Sequence, residues 1–216
     1  MRSVLPFEIL VITDTVVCRQ AGRTVEATVG QLLQSPYSHR MAILVRDKLA
    51  ALDQIADTLQ TLNPLAKEAG ARLLVHTHTD LALAFNLDGV HVASQVALGT
   101  VRSQLRPGML LGASRHGSDP LDADDLGEAD YATLSPLFRP TSKPADLREP
   151  LGLLGLQACA ARAVRPLVAL GGIKPGRAAG AIAHGAAAIA ISGALLQADS
   201  PATVLDQLCL ELDAQG

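Results

Sequence analysis

Tryptophan is absent from this chain of 216 residues, and there are only two tyrosines and three phenylalanines. A core must therefore be filled by Ala, Val, Leu and Ile, whose small side chains suit tight packing of helices on a sheet. The same scarcity excludes the exposed aromatic platforms on which single-stranded nucleic acid stacks. Cysteine is scarce as well: Cys18, Cys159 and Cys209 are odd in number, far apart and without metal-ligand spacing. That argues against a disulfide framework or a zinc site. The apolar, helical settings of Cys159 and Cys209 mark them as small core residues. Positive charge is not in excess, since the formal net charge is -3. Neither nucleic acid nor an anionic membrane is the expected partner of such a surface. No run reaches the roughly 20 apolar residues of a membrane-spanning helix. The opening MRSVLPFEILVIT lacks the organisation of a signal peptide, so a cytoplasmic protein is expected.

What is there is a strongly apolar chain, 49% hydrophobic and 18% charged. Its length suits one domain over residues 1–216 with a sizeable core. Eight short apolar runs recur: Glu8–Thr13, Met41–Arg46, Arg72–His76, Gly89–Val92, Met109–Ala113, Tyr131–Leu134, Leu167–Leu170 and Ala188–Ser192. Runs such as ILVI, AILV and LVAL lack the alternation of a half-exposed strand, and predict parallel strands covered on both faces. Between them lie helical patterns. Leu52, Ile55, Ala56, Leu59 and Leu62 share one face at helical spacing; Pro64 is expected to kink or restart that helix, and Gly70 to stop it. Pro175 and Gly185 bracket a later helix, and Ser200-Pro201 opens the last one.

Eight strands alternating with helices fit either a closed barrel or an open doubly wound sheet. The dinucleotide fingerprint G-x-G-x-x-G is missing after the first strand, in VITDTVVCRQAG. Glycine signals instead come late, at Gly171-Gly172 after the seventh strand and Ser192-Gly193 after the eighth. Each pair alone would serve a tight turn. Together, on adjacent strands, they predict a phosphate site at the mouth of an α/β (β/α)8 TIM barrel.

The order of motifs from Ile9 to Leu196 resembles the thiamin-phosphate-synthase/TenI superfamily. The landmarks are Gly112-x-Ser114-x-His116, Ala129-Asp130-Tyr131, Ser135-Pro136, Thr141-Ser142-Lys143, Gly171-Gly172-Ile173 and Ser192-Gly193, with VRDK at Val45–Lys48 and DGVH at Asp88–His91 upstream. The resemblance implies a small phosphorylated thiazole or pyrimidine ligand, with a homodimer suggested. Synthases of the family join a pyrimidine diphosphate to a thiazole phosphate and release pyrophosphate, with magnesium bound; some TenI relatives tautomerise a thiazole phosphate. Carried over by position, Arg46, Lys48, Thr141, Ser142, Gly171, Gly172, Ser192 and Gly193 would bind the ligand, and Lys143 would assist at the reacting centre. Charge building on a departing diphosphate calls for such cations.

This chain also departs from the pattern. The synthase's Asn-Asp after strand three reads His76-Thr77, its later Asp reads Val96, and its Gln reads Leu44. Threonine and valine cannot supply the charge of a magnesium site, so no metal ligand is assigned and Mg²⁺ enters only for a synthase. The tautomerase's histidine reads Pro136. His76 stands where the family places a ligand-facing residue, and is the candidate acid or base. His76 and His78 form a His-x-His pair without an identifiable third metal ligand. His91 and His116 are read as orienting loops. The leading reading is a TenI-like barrel for a thiazole phosphate or thiamin phosphate, in the tautomerase sense. The alternatives are a thiamin-phosphate synthase and a non-catalytic phosphate binder.

Overall fold

The computed structural model describes residues 5–139 and 148–214. All eight apolar runs are strands: β1 (Ile9–Ile12), β2 (Met41–Val45), β3 (Arg72–His76), β4 (Gly89–Val92), β5 (Leu110–Arg115), β6 (Tyr131–Leu134), β7 (Leu167–Leu170) and β8 (Ala188–Ile191). Each pairs in parallel with the next, and β8 returns to β1, closing the barrel. The open-sheet alternative is thereby removed. Strand β5 runs two residues further than its apolar stretch, which brings Ser114 into the ladder opposite Thr133.

Alternation along the strands divides the side chains into two cores. Ile9, Val11, Ile43, Val45, Val75, Val92 and Ile191 point outward into a continuous layer beneath the helices. Leu10, Ile12, Ala42, Leu44, Leu74, Tyr131, Val168, Ala188 and Ala190 point inward with Phe7. Two of the five aromatics meet here: Phe7 packs edge-on against Tyr131 at 5.3 Å. Tyr131 fits because Gly112 faces it, where a Cβ would come 2.3 Å from the Tyr131 Cζ.

The helices are α1 (Thr15–Gln20), α2 (Val25–Leu33), α3 (Leu52–Glu68), α4 (Thr79–Ala84), α5 (Leu98–Gln104), α6 (Ala123–Leu126), α7 (Gly152–Arg162), α8 (Ala178–Ala183), α9 (Gly193–Leu196) and α10 (Pro201–Asp213). Asp14, Thr24 and Ser200 cap α1, α2 and α10 by accepting from the amides of Val17, Ala27 and Thr203. Helix α3 corrects one expectation. It runs through Pro64 without interruption and buries Ile55, Leu59, Leu62 and Ala66. Pro64 lies on the solvent side, where water can satisfy the carbonyl its ring deprives of a partner. Gly70 follows the helix in a left-handed conformation, as expected. Pro175 sits in the turn before α8 rather than within its first turn.

Cys18, Cys159 and Cys209 are free and buried. Among the described residues, no helix is long and apolar enough to cross a membrane.

Candidate functional site

The C-terminal ends of the strands form the mouth of the barrel. On β2, inward-facing Ala42 and Leu44 put Arg46, the next residue of the same parity, on the mouth side. Its backbone is fixed from both directions by Thr13, the residue after β1: the Arg46 amide donates to Thr13 Oγ1 at 2.9 Å, and that hydroxyl donates to the Arg46 carbonyl at 3.3 Å. The guanidinium is half-buried and, among the described residues, no carboxylate forms an ion pair with it. Burial lowers its pKa, against the opposing pull of Asp14 and Asp47. Lys48 is exposed two residues on. Asp47, between them, turns away to accept from the amides of Leu49 and Ala50.

Residue 76 ends β3 in register with His91 of β4, and the two imidazoles stack at 6.3 Å. Burial, then the charges of Arg46, His78 and Lys48, lower the His76 pKa to about 4. The imidazole is therefore neutral at physiological pH, and the same charges show that Arg46 and Lys48 share its surroundings. Beneath it, His91 is buried in a polar cluster that composition alone does not reveal. Its Nδ1 lies 3.2 Å from the Tyr131 hydroxyl, and its Nε2 lies 3.0 Å from Ser114 Oγ and 3.5 Å from Thr133 Oγ1. Burial first, and then His76 and Arg46, push its pKa down to about 3. His91 thus ties three strands together rather than orienting a loop. His116 does hold a loop, through Nδ1 to the carbonyl of Ser135 at 2.9 Å.

Across the mouth, Gly172 and Ser192 each follow by two residues the register pair Leu170–Ala190, so they stand side by side on neighbouring strands. Gly171 and Gly172 both have left-handed backbones, at φ 103 and φ 63. A Cβ on Gly172 would lie 2.7 Å from the Phe138 Cβ and 2.9 Å from the Arg139 carbonyl oxygen. The turn is locked from both sides: Leu137 and Phe138 donate to the carbonyls of Leu170 and Gly171, and Arg177 Nη1 donates to that of Gly172 at 2.9 Å. Arg177 also stacks on Phe138 at 4.8 Å. Sequence reading missed this arginine, because nothing in its spacing ties it to a turn five residues earlier.

Gly193 and Ala194 open α9, and their amides precede any intrahelical partner. Four residues give this helix little dipole, so its value to an anion lies in the donors themselves. The neighbouring helix start is already taken: Glu211 accepts from the amides of Gly176 and Ala179 at 2.7 and 2.9 Å, closing the N-terminus of α8. Gly172→Ala is expected to cost about 1–3 kcal/mol, combining left-handed strain with overpacking against Phe138. Equilibrium denaturation would show it as a lower midpoint with an unchanged slope.

The structure thus brings Arg46, Lys48 and His76 to one side of the mouth, and Gly171, Gly172, Ser192 and Gly193 to the other. Thr141, Ser142 and Lys143 lie outside the described residues. A separate cavity of about 440 Å³ lies outside the barrel, lined by Thr13, Arg19, Glu26, Asp47 and Thr58 among others. Its Glu26 and Thr58 already bond each other at 2.6 Å.

Comparisons with known proteins match this architecture. Thiamine-phosphate synthase of Chloroflexus aurantiacus is 37% identical over 164 residues, covering 76% of this chain and 75% of that protein. The thiamine-phosphate synthase of Moorella thermoacetica is 32% identical over 168 residues, covering 77% and 80%. Among solved structures, thiamine phosphate pyrophosphorylase from Pyrococcus furiosus superposes with a TM-score of 0.81 at 26% identity, covering 97% of both chains. A 3-hexulose-6-phosphate synthase from Salmonella typhimurium, at 16% identity and TM-score 0.70 over 97% of this chain and all of that one, shares the fold alone. The family described as thiamine monophosphate synthase matches residues 9–195. With the closed barrel, the ordered motifs and relatives at this identity in agreement, the chain belongs to the thiamine monophosphate synthase family.

Proposed function

We propose that this barrel is a thiamin-phosphate synthase, a transferase that joins a pyrimidine diphosphate to a thiazole phosphate and releases pyrophosphate. The observation that carries the reading is the half-buried guanidinium of Arg46 at the mouth, without a carboxylate partner among the described residues. A desolvated cation in that state is matched to an incoming anion, and gains most where negative charge grows on a leaving diphosphate. In this reading Arg46, Lys48 and Lys143 hold the diphosphate. The amides near Gly172 and Gly193, with Thr141 and Ser142, take the thiazole phosphate, and neutral His76 contacts the ligand. Relatives named for the synthase support this over the tautomerase reading. So does Pro136, which offers no titratable group where the tautomerase needs one.

Magnesium is implied by the family, but the residues present do not fit a protein-held ion. Thr77 engages His76 through its hydroxyl, and Val96 packs half-buried against the outer core. No group of three or more His, Cys, Asp or Glu able to hold a metal ion occurs among the described residues.

Incubation with both substrates should yield thiamin phosphate and pyrophosphate in equal amounts, followed by chromatography. No product at enzyme concentrations equal to substrate, with the thiazole phosphate still raising the melting temperature, would replace the synthase by a non-catalytic binder.

A further inference from the structure

Thr77 has a φ of 70, left-handed backbone that a β-branched residue adopts only under strain. Nothing in its local sequence demands it, and an Asn, Asp or Gly would sit there at lower cost. Two hydrogen bonds maintain the conformation: the Thr77 amide donates to the His91 carbonyl at 2.9 Å, and the Thr79 amide donates to the Thr77 carbonyl at 3.1 Å. What the strained threonine provides is its hydroxyl, 3.0 Å from Nδ1 of His76. That hydroxyl meets the edge of the imidazole, while His91, itself held by Tyr131 and Ser114, lies against its face.

We propose that Thr77 is a positioning residue that donates its hydroxyl to Nδ1 of His76, fixing the neutral ring as the Nε2–H tautomer and presenting Nε2–H as a donor to an anionic oxygen of the bound substrate. This rests on the synthase reading only for the identity of that substrate. Three features support it. With Nδ1 occupied, Nε2 is the ring nitrogen left to a ligand, and a neutral imidazole has one donor and one acceptor. Burial first, and then the charges of Arg46, His78 and Lys48, disfavour a proton on both nitrogens. A mouth edged by those cations and late glycine amides selects an anion, to which Nε2–H adds a directional contact. Threonine at a left-handed position is thus maintained for its hydroxyl.

The test uses the full chain with inorganic pyrophosphate as the probe, beside the coupling assay. In the native protein, ¹⁵N spectra should show His76 with Nδ1 unprotonated and Nε2 protonated. Thr77→Val should lose that preference and weaken pyrophosphate binding about five- to tenfold, while Thr77→Ser retains both. Thr77→Gly should unfold at a temperature no lower than native, because strain is relieved, yet bind as poorly as Thr77→Val. In coupling, Thr77→Val should raise KM by a similar factor and alter kcat less than twofold, as expected of uniform binding. Adding Thr77→Val to His76→Ala should produce no further loss, since the threonine acts through the ring.

A protonated Nδ1 in the native protein overturns the proposal. So does equal loss from Thr77→Val in the presence and absence of the His76 side chain. Absence of coupling, with the tautomer and pyrophosphate results as expected, would overturn the synthase reading and leave this one standing.

Discussion

Replacing Arg46 by alanine is expected to lower kcat/KM for thiamin phosphate formation by about 10²–10³, the loss seen when one preorganised charge-stabilising donor is removed from a reacting centre. The physical case rests on where the guanidinium sits. Thr13 clamps its backbone through two hydrogen bonds, so little reorganisation is needed when an anion arrives. Partial burial strengthens its field at short range, and no described carboxylate forms an ion pair with it, though Asp14 and Asp47 pull on it from further off. Because no folded-state ion pair is lost, the melting temperature should stay near native. Arg46→Lys would keep the charge but lose the planar fork, and should fall between the two. Steady-state kinetics with either substrate varied provides the check. Activity of the alanine variant within threefold of native would remove Arg46 from the diphosphate site.

Arg115→Ala is expected to lower stability by about 3–5 kcal/mol. Arg115 ends β5 facing outward, with its side chain 3% exposed. Its Nε and Nη2 donate to the two carboxylate oxygens of Asp125 at 2.6 and 3.0 Å, and Nη1 donates to the Ser114 carbonyl at 2.7 Å. Truncation would leave Asp125 without its partner and open a void beneath α6. In a domain of this size each kcal/mol moves the melting temperature by roughly 2–4 °C, so the shift would be easily read by calorimetry. The paired change Arg115→Met with Asp125→Leu should restore most of the loss, because a buried ion pair contributes little beyond a well-packed apolar pair. If the single alanine variant melts within 2 °C of native, Asp125 is satisfied by water and the pair is ornamental.

Much of the barrel could be read from local pattern. A run such as ILVI or LVAL is apolar at every position because helices cover one face and the barrel interior the other, and both periodicity and burial report that directly. Helix α3 was legible from its stripe, but the effect of Pro64 was not. Whether a proline breaks a helix depends on which side its orphaned carbonyl faces, and that is settled by the neighbours. Arg46 and the late glycines were legible as a candidate site because they follow buried strands. Arg115, by contrast, belongs to the same kind of strand end and reads identically, yet its partner Asp125 turns it into a structural strut. Arg177 and Glu211 were silent for the same reason: each acts on a segment that is near in space only after the barrel closes.

Local pattern was enough to place eight covered parallel strands, with cations and glycines at their C-terminal ends; both follow from hydrophobic period and from turn chemistry within a few residues. It took the folded chain to show that β8 meets β1, that the start of α8 is closed by a carboxylate from α10, and that His76 stacks on His91 with the strained Thr77 at its Nδ1. Those are outcomes of register and barrel closure. They depend on contacts between residues distant along the chain, which no local pattern of side chains encodes.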